Sequence, residues 1–208
     1  MFALTDSSIL VTFGEAIDLE TNRKVHALAA RLAQNPLEGV IETVPGYASL
    51  VVHYDPLTRT HAEITEWLAA HLNVEGDTRP RPPRRVEVPV IYDGPDLPFV
   101  AQHCGLSVDE VIRLHSENDY TVYMMGFMPG FPYLGKLPEA LHVPRLKTPR
   151  THVPAGSVAI AGGQTGIYPQ DSPGGWRLIG RTDLKLYDPQ RESPFLFAPG
   201  DTVRFVPG

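Results

Sequence analysis

Apolar and polar positions follow one rhythm in the first part of this chain and another after Tyr120. Ile9 to Phe13 (ILVTF) is a short β-branched run and predicts a strand. Val25, Leu28, Ala29 and Leu32 recur at i, i+3, i+4 and i+7, the spacing of one helix face. Gly39 to Val44 and Ala48 to Tyr54 are β-rich runs around the turn pair Pro45-Gly46, which predicts a hairpin. Thr60-His61-Ala62-Glu63 has the form of a capping box, opening a helix whose inward face is Ile64, Trp67, Leu68 and His71 or Leu72. The order is β-α-β-β-α. If Val86 to Tyr92 supplies a last strand, the unit is a split β-α-β, ferredoxin-like arrangement; if that strand belongs to a second domain, the first sheet keeps an open edge.

Gly76 to Arg85 (GDTRPRPPRR) packs prolines among charged residues and predicts an extended, semi-rigid connector. It divides the chain into a small α/β domain over 1–80 and a second domain over 81–208. The second domain opens with another capping box, Ser107-Val108-Asp109-Glu110, with Leu106 and Val111 placed as its hydrophobic staple. The apolar face of that helix is Val108, Val111, Ile112 and His115. From Tyr120 onward short strands alternate with Gly/Pro turns: TVYMMGF, SVAIAG, WRLIG, DLKLY and TVRFV. That spacing predicts a β-sandwich or barrel, with Pro199-Gly200 as a type II turn before the last strand. The fold class is α+β.

Charge changes the picture in one place. The chain carries a formal net charge of -6, yet from His142 to Arg181 the charges are Arg145, Lys147, Arg150, Arg177 and Arg181 against Asp171 alone. The same region, widened to Gly126–Thr182, holds ten glycines. Arg forks beside glycine loops with exposed amides suit a small anion such as a carboxylate or phosphate; a solvated basic face on a β domain gives the same composition. Gly162 to Gly166 reads as a loop in which Gln164 and Thr165 could grip a carboxylate or lactam, or as a plain turn. Arg177 and Arg181 lie four apart and are expected on one strand face, paired to an anion or to Asp171 or Asp183. Arg145, Lys147 and Arg150 form a proline-stiffened strap that suits the wall of an anion site or a subunit contact. Trp176 could cover a substrate and reads first as core, the cluster Phe127, Phe131 and Tyr133 reads first as core or interface, and His142 and His152 are acid/base candidates without a matching partner.

GFMPGFPYLG (Gly126–Gly135), QTGIYP (Gln164–Pro169), SPGGW (Ser172–Trp176) and IGRT (Ile179–Thr182) together resemble the family of bacterial proteins long called allophanate hydrolase subunit 1. That family is now read mostly as the B subunit of ATP-dependent 5-oxoprolinase, with the anti-kinase KipI as a relative. The likeness extends through VPGYASLVVHYDP to APGDTVRFVP and so covers nearly the whole chain. It implies a cyclophilin-like β-barrel for the second domain. It also implies a role as one component of a complex that hydrolyses 5-oxo-L-proline to L-glutamate. The implied partners are a C component resembling allophanate hydrolase subunit 2 and a barrel-type A component. Alternatives within the resemblance are a KipI-like inhibitor of a sensor histidine kinase and a urea- or allophanate-processing, carboxyltransferase-like subunit. The expected substrate or interface residues are Arg145, Arg150, Gln164, Thr165, Tyr168, Arg177 and Arg181.

No helix pattern follows the glycine loops, so a phosphate loop is unsupported; ATP is expected on a partner and no cofactor on this chain. No HExxH or paired histidines at metal spacing occur, and the expected metal is none. Residues 1–80 hold five Lys/Arg against eleven Asp/Glu, which argues against nucleic acid. No apolar run reaches membrane-span length and no basic leader is present, so a cytoplasmic protein is expected. The lone Cys104 excludes an intrachain disulfide. Limited proteolysis should cut first within Gly76 to Arg85 and leave a β-rich fragment; a first cut inside either half would dissolve this boundary.

Overall fold

The computed structural model describes residues 1–72 and 82–208. The predicted connector therefore lies mostly outside the described residues. The chain divides into two units, Met1–Pro82 and Pro83–Gly208.

The first unit runs β1 (Phe2–Thr5), β2 (Ser8–Thr12), α1 (Leu19–Gln34), β3 (Val40–Pro45), β4 (Ser49–Tyr54) and α2 (His61–His71). Its sheet has the order β1-β2-β4-β3, antiparallel throughout. Ile9, Val11, Leu50, Val52 and Tyr54 point to one face, where Val25, Leu28 and Leu32 of α1 and Ile64 and Leu68 of α2 bury them. The expected cap of α2 forms: Thr60 accepts from the Glu63 amide while Glu63 reaches back to the Thr60 amide. The sequence pattern does not reveal β1. Its four residues are all exposed, so no alternation betrays it; only pairing with β2 makes it a strand. β1 takes the place beside β2 that a ferredoxin-like unit would give its last strand, so that edge is filled from the N-terminus.

The strand expected over Val86 to Tyr92 goes to the second unit as β5 (Arg85–Val90). There follow α3 (Leu97–Cys104), α4 (Val108–Ser116), β6 (Asp119–Met125), β7 (Pro132–Gly135), β8 (Arg150–Val153), β9 (Ser157–Ala161), β10 (Gln164–Ile167), β11 (Ser172–Gly174), β12 (Arg177–Arg181) and β13 (Thr202–Pro207). Seven strands form one sheet in the order β12-β9-β10-β7-β6-β13-β5. Ile91, just past β5, exchanges two backbone hydrogen bonds of 2.9 Å with Arg181 of β12. The first and last strands thus meet, and the sheet closes as a barrel around Val88, Val122, Leu134, Ile160, Ile167 and Phe205. The turn Ala198–Asp201 is type II, with Gly200 at φ +86° and Asp201 donating to the Ala198 carbonyl. DLKLY is not a strand; Pro189 and Pro194 flank the segment opposite, and only an isolated bridge, Tyr187 with Phe195, forms. Val108 is also corrected: in the first turn of α4 it faces outward at 38% exposure.

His115, at the inner end of α4, is fully buried and joins the helix to the barrel. Its Nε2 lies 2.8 Å from Thr165 Oγ1, and its Nδ1 2.7 Å from the Tyr92 hydroxyl. Thr165 donates its one hydroxyl hydrogen to the Ala159 carbonyl, so the ring must donate from Nε2 and accept from Tyr92 at Nδ1. The ring stacks on Phe205 at 4.4 Å. Burial pulls the imidazole down to about 3 from 6.5. The unfolded chain therefore binds the extra proton between those values. Stability from this site is whole above pH 6.5 and falls below it, at up to about 1.4 kcal/mol per pH unit. Urea unfolding at pH 7 and pH 5 should show a larger loss for the native chain than for His115→Gln, which itself should be about 1–3 kcal/mol weaker at pH 7. Equal losses would place the acid sensitivity elsewhere.

Candidate functional site

On the outside of the barrel, a second apolar cluster covers Ala159 and Ala161 of β9 and Leu178 of β12. The short β8–β11 ribbon and the turn before β7 bring it together. Phe131 meets Tyr168 at 5.2 Å and Trp176 at 5.6 Å, both edge to face, and Tyr133 meets Trp176 at 5.9 Å. Such contacts stabilise by about 0.5–1.5 kcal/mol each beyond area burial. The aromatic rings do not fill the space above them. They floor an open bowl of about 280 Å³, rimmed by Phe127, Arg145, Pro149 and the Pro173–Gly175 loop.

Two backbone features build the bowl. Gly174 has no room for a side chain, because a Cβ there would stand 2.4 Å from the Tyr168 hydroxyl. Phe127 holds φ +67°, and the Met128 amide donates to the Gly126 carbonyl at 2.7 Å across it. This is a γ-turn centred on a bulky residue, a conformation that costs about 1–3 kcal/mol. The Phe127 ring is not consumed by packing, being 60% exposed over Phe131 and Tyr168. Burial pushes the phenols of Tyr133 and Tyr168 up, against the opposing pull of Arg145. Both are therefore neutral at pH 7.

The seven residues expected at one site separate into four places. Arg145 and Tyr168 line the bowl. Arg145 lies over the Trp176 ring, 5.8 Å from its centroid, is exposed, and among the described residues has no carboxylate partner. Arg150 stands behind the wall, donating to the Trp176 carbonyl at 3.5 Å and to Asp96 Oδ1 at 2.9 Å. Arg177 is packed over Phe99 at 3.7 Å with Asp96 3.8 Å away, while Arg181 pairs with Asp93 at 2.9 Å. A bulge between Leu178 and Gly180 breaks the alternation that would have put Arg177 and Arg181 on one face. Their partners are Asp93 and Asp96, not Asp171, which accepts from the Ala155 amide, or Asp183. The loop reading of Gly162 to Gly166 is also corrected. Only Gly162-Gly163 forms the turn; Gln164 pairs with Ala161 and begins β10. Thr165 is fully buried with its hydroxyl bonded into the core, and the Gly162 amide donates to the Val143 carbonyl. His142 Nε2 rests 3.1 Å from the Leu137 carbonyl, and His152 is exposed, 3.9 Å from Asp171.

Residues 1–197 match the family described as carboxyltransferase domain, subdomain C and D. The chain is 43% identical to the B subunit of 5-oxoprolinase from Escherichia coli O157:H7, over 99% of this chain and 94% of that protein. It is also 43% identical to the B subunit of 5-oxoprolinase from Bacillus subtilis, over 98% and 90%. The chain belongs to the family of 5-oxoprolinase B subunits. The crystal structure of TTHA0988 superposes on this family member with a TM-score of 0.86 at 45% identity, covering 97% of this chain and 39% of that one. The Kluyveromyces lactis urea amidolyase structure shares the fold, with a TM-score of 0.80 at 21% identity, over 98% of this chain and 14% of its own. Among the described residues no helix is long and apolar enough to cross a membrane, and no group of three His, Cys, Asp or Glu side chains is placed to hold a metal ion.

Sequence reasoning misses Asp96, the residue on which this family member's bowl wall hangs. Asp96 is 6% exposed and caps α3 through its backbone. Its Oδ2 accepts from the Leu178 amide at 2.7 Å and its Oδ1 from Arg150. The one available signal is its place before Leu97-Pro98, a helix-start pattern. Replacing Asp96 with Ala strands a guanidinium and a buried amide, and should lower the urea-unfolding free energy by about 3–5 kcal/mol. Arg181→Ala breaks a half-exposed pair and should lower it by less than about 1 kcal/mol. Equal effects would mean the Asp96 cluster is no more than a surface pair.

Proposed function

We propose that this chain is one component of an ATP-dependent 5-oxoprolinase that hydrolyses 5-oxo-L-proline to L-glutamate. The identity of 43% over 99% of the chain and 94% of the E. coli protein carries this reading. A five-membered lactam is a stable amide, and coupling to ATP makes its opening favourable. Phosphorylation of the amide oxygen turns the ring carbon into an electrophile. Water then adds and expels the ring nitrogen, and a second water releases phosphate, leaving glutamate, ADP and phosphate.

The chain's part in this division of labour is substrate-side. Its glycine pairs lie in strand turns: Gly162-Gly163 joins β9 to β10, and Gly174-Gly175 leads into β12. Neither opens a helix whose amides would hold a nucleotide phosphate. ATP is accordingly assigned to the partners, a barrel-type A component and a C component resembling allophanate hydrolase subunit 2, and no cofactor to this chain. The test is co-expression of all three chains, with ADP and glutamate release measured on adding 5-oxo-L-proline. Release should require the substrate and every chain, and urea should not replace 5-oxo-L-proline. ATP hydrolysis driven by 5-oxo-L-proline with this chain alone, or an idle assembled complex, would count against the proposal.

A further inference from the structure

We propose that the aromatic bowl is where this chain receives the substrate: the lactam ring lies on Tyr133 at the edge of Trp176 and its carboxylate on Arg145. The inference rests on the 5-oxoprolinase reading for the identity of the ligand, and on the bowl alone for its chemistry. Several features point to a small, flat, anionic molecule.

The bowl's volume, about 280 Å³, lies just under the range of about 300–1,000 Å³ typical of ligand pockets, so it suits a single small ring. Its floor is aromatic and rigid. Phe131, Tyr133, Tyr168 and Trp176 brace one another edge to face; Phe131, Tyr168 and Trp176 are buried, and half-buried Tyr133 is the ring of the four that offers surface to a planar amide. Its one cation is Arg145. Its guanidinium lies 5.8 Å from the Trp176 ring centroid, and among the described residues no carboxylate takes its N–H fork, which suits a carboxylate ligand. The other arginines nearby differ: Arg150, Arg177 and Arg181 are each within 4 Å of an aspartate. The fold has paired these three with aspartates, whereas Arg145 has none among the described residues.

Phe127 is the second unusual element at the rim. A strained γ-turn holds a large ring at the cavity rim that stays 60% exposed although it meets Phe131 and Tyr168 edge to face. Placed there, the ring covers the lactam from the solvent side and excludes water from the carboxylate contact, where charge-assisted hydrogen bonds strengthen.

The experiment has two arms. In the assembled complex, Arg145→Gln should raise KM for 5-oxo-L-proline roughly ten- to a hundredfold. KM for ATP should stay constant, and Arg145→Lys should recover part of the loss. In the lone chain carrying Trp67→Phe, the remaining tryptophan, Trp176, reports the bowl. Its fluorescence should change on titration with 5-oxo-L-proline and much less with 2-pyrrolidinone, which has the ring without the carboxylate; Arg145→Gln should remove the difference. An active complex whose KM for 5-oxo-L-proline ignores Arg145→Gln overturns the bowl and leaves the proposed function standing. An idle complex with carboxylate-dependent Trp176 quenching supports the bowl and overturns the proposed function. A variant that binds the lactam normally but no longer co-elutes with its partners makes the bowl a subunit seam and overturns this inference.

Discussion

The buried carboxylate of Asp96 ties three parts of the barrel unit together. It sits where α3 begins, takes the Leu178 amide of β12 on one oxygen and the Arg150 guanidinium on the other. Arg150 in turn reaches the carbonyl of Trp176. A carboxylate this sheltered is costly to desolvate unless its oxygens are engaged, and here both are. The consequence is positional. The helix, the bulged strand and the aromatic wall are fixed by one group, so the wall does not depend on loop packing alone.

That fixation lets the outer face of the barrel carry a strained turn beside an exposed cation. Phe127 holds a backbone angle that a non-glycine residue rarely adopts, and Arg145 stays exposed without a carboxylate among the described residues. The barrel interior shows the opposite arrangement: the Tyr92–His115–Thr165 chain satisfies every donor it buries, and it rigidifies the junction of α4 with β10. One side of the barrel unit holds a satisfied polar chain; the other keeps an exposed cation and the exposed Phe127 ring.

Membership of the family of 5-oxoprolinase B subunits fits this distribution. The same fold recurs within much longer chains, as 39% of TTHA0988 and 14% of a urea amidolyase.

Local interactions are legible in the sequence. Both capping boxes, the α1 face, the hairpin around Pro45-Gly46 and the type II turn at Pro199-Gly200 depend on residues a few positions apart, so the chain writes them directly. The cluster of cations is legible too, but not its meaning. Arg150, Arg177 and Arg181 find Asp93 and Asp96, some 54 to 88 residues earlier in the chain, which no local charge count reveals. The strand β1 has no alternation to read, because it is exposed on both faces and exists only through pairing with β2. Thr165 looks like a loop hydroxyl beside two glycines and is a core residue, because the hairpin closes one residue before it. The aromatic residues read as core, and Phe131, Tyr168 and Trp176 are buried; only the tertiary structure leaves Tyr133 half-buried and Phe127 exposed at the rim of the bowl. A sequence determines what neighbours in the chain do to one another, whereas the partner of a charge and the exposure of a ring are decided by which distant segments the fold brings within a few ångströms.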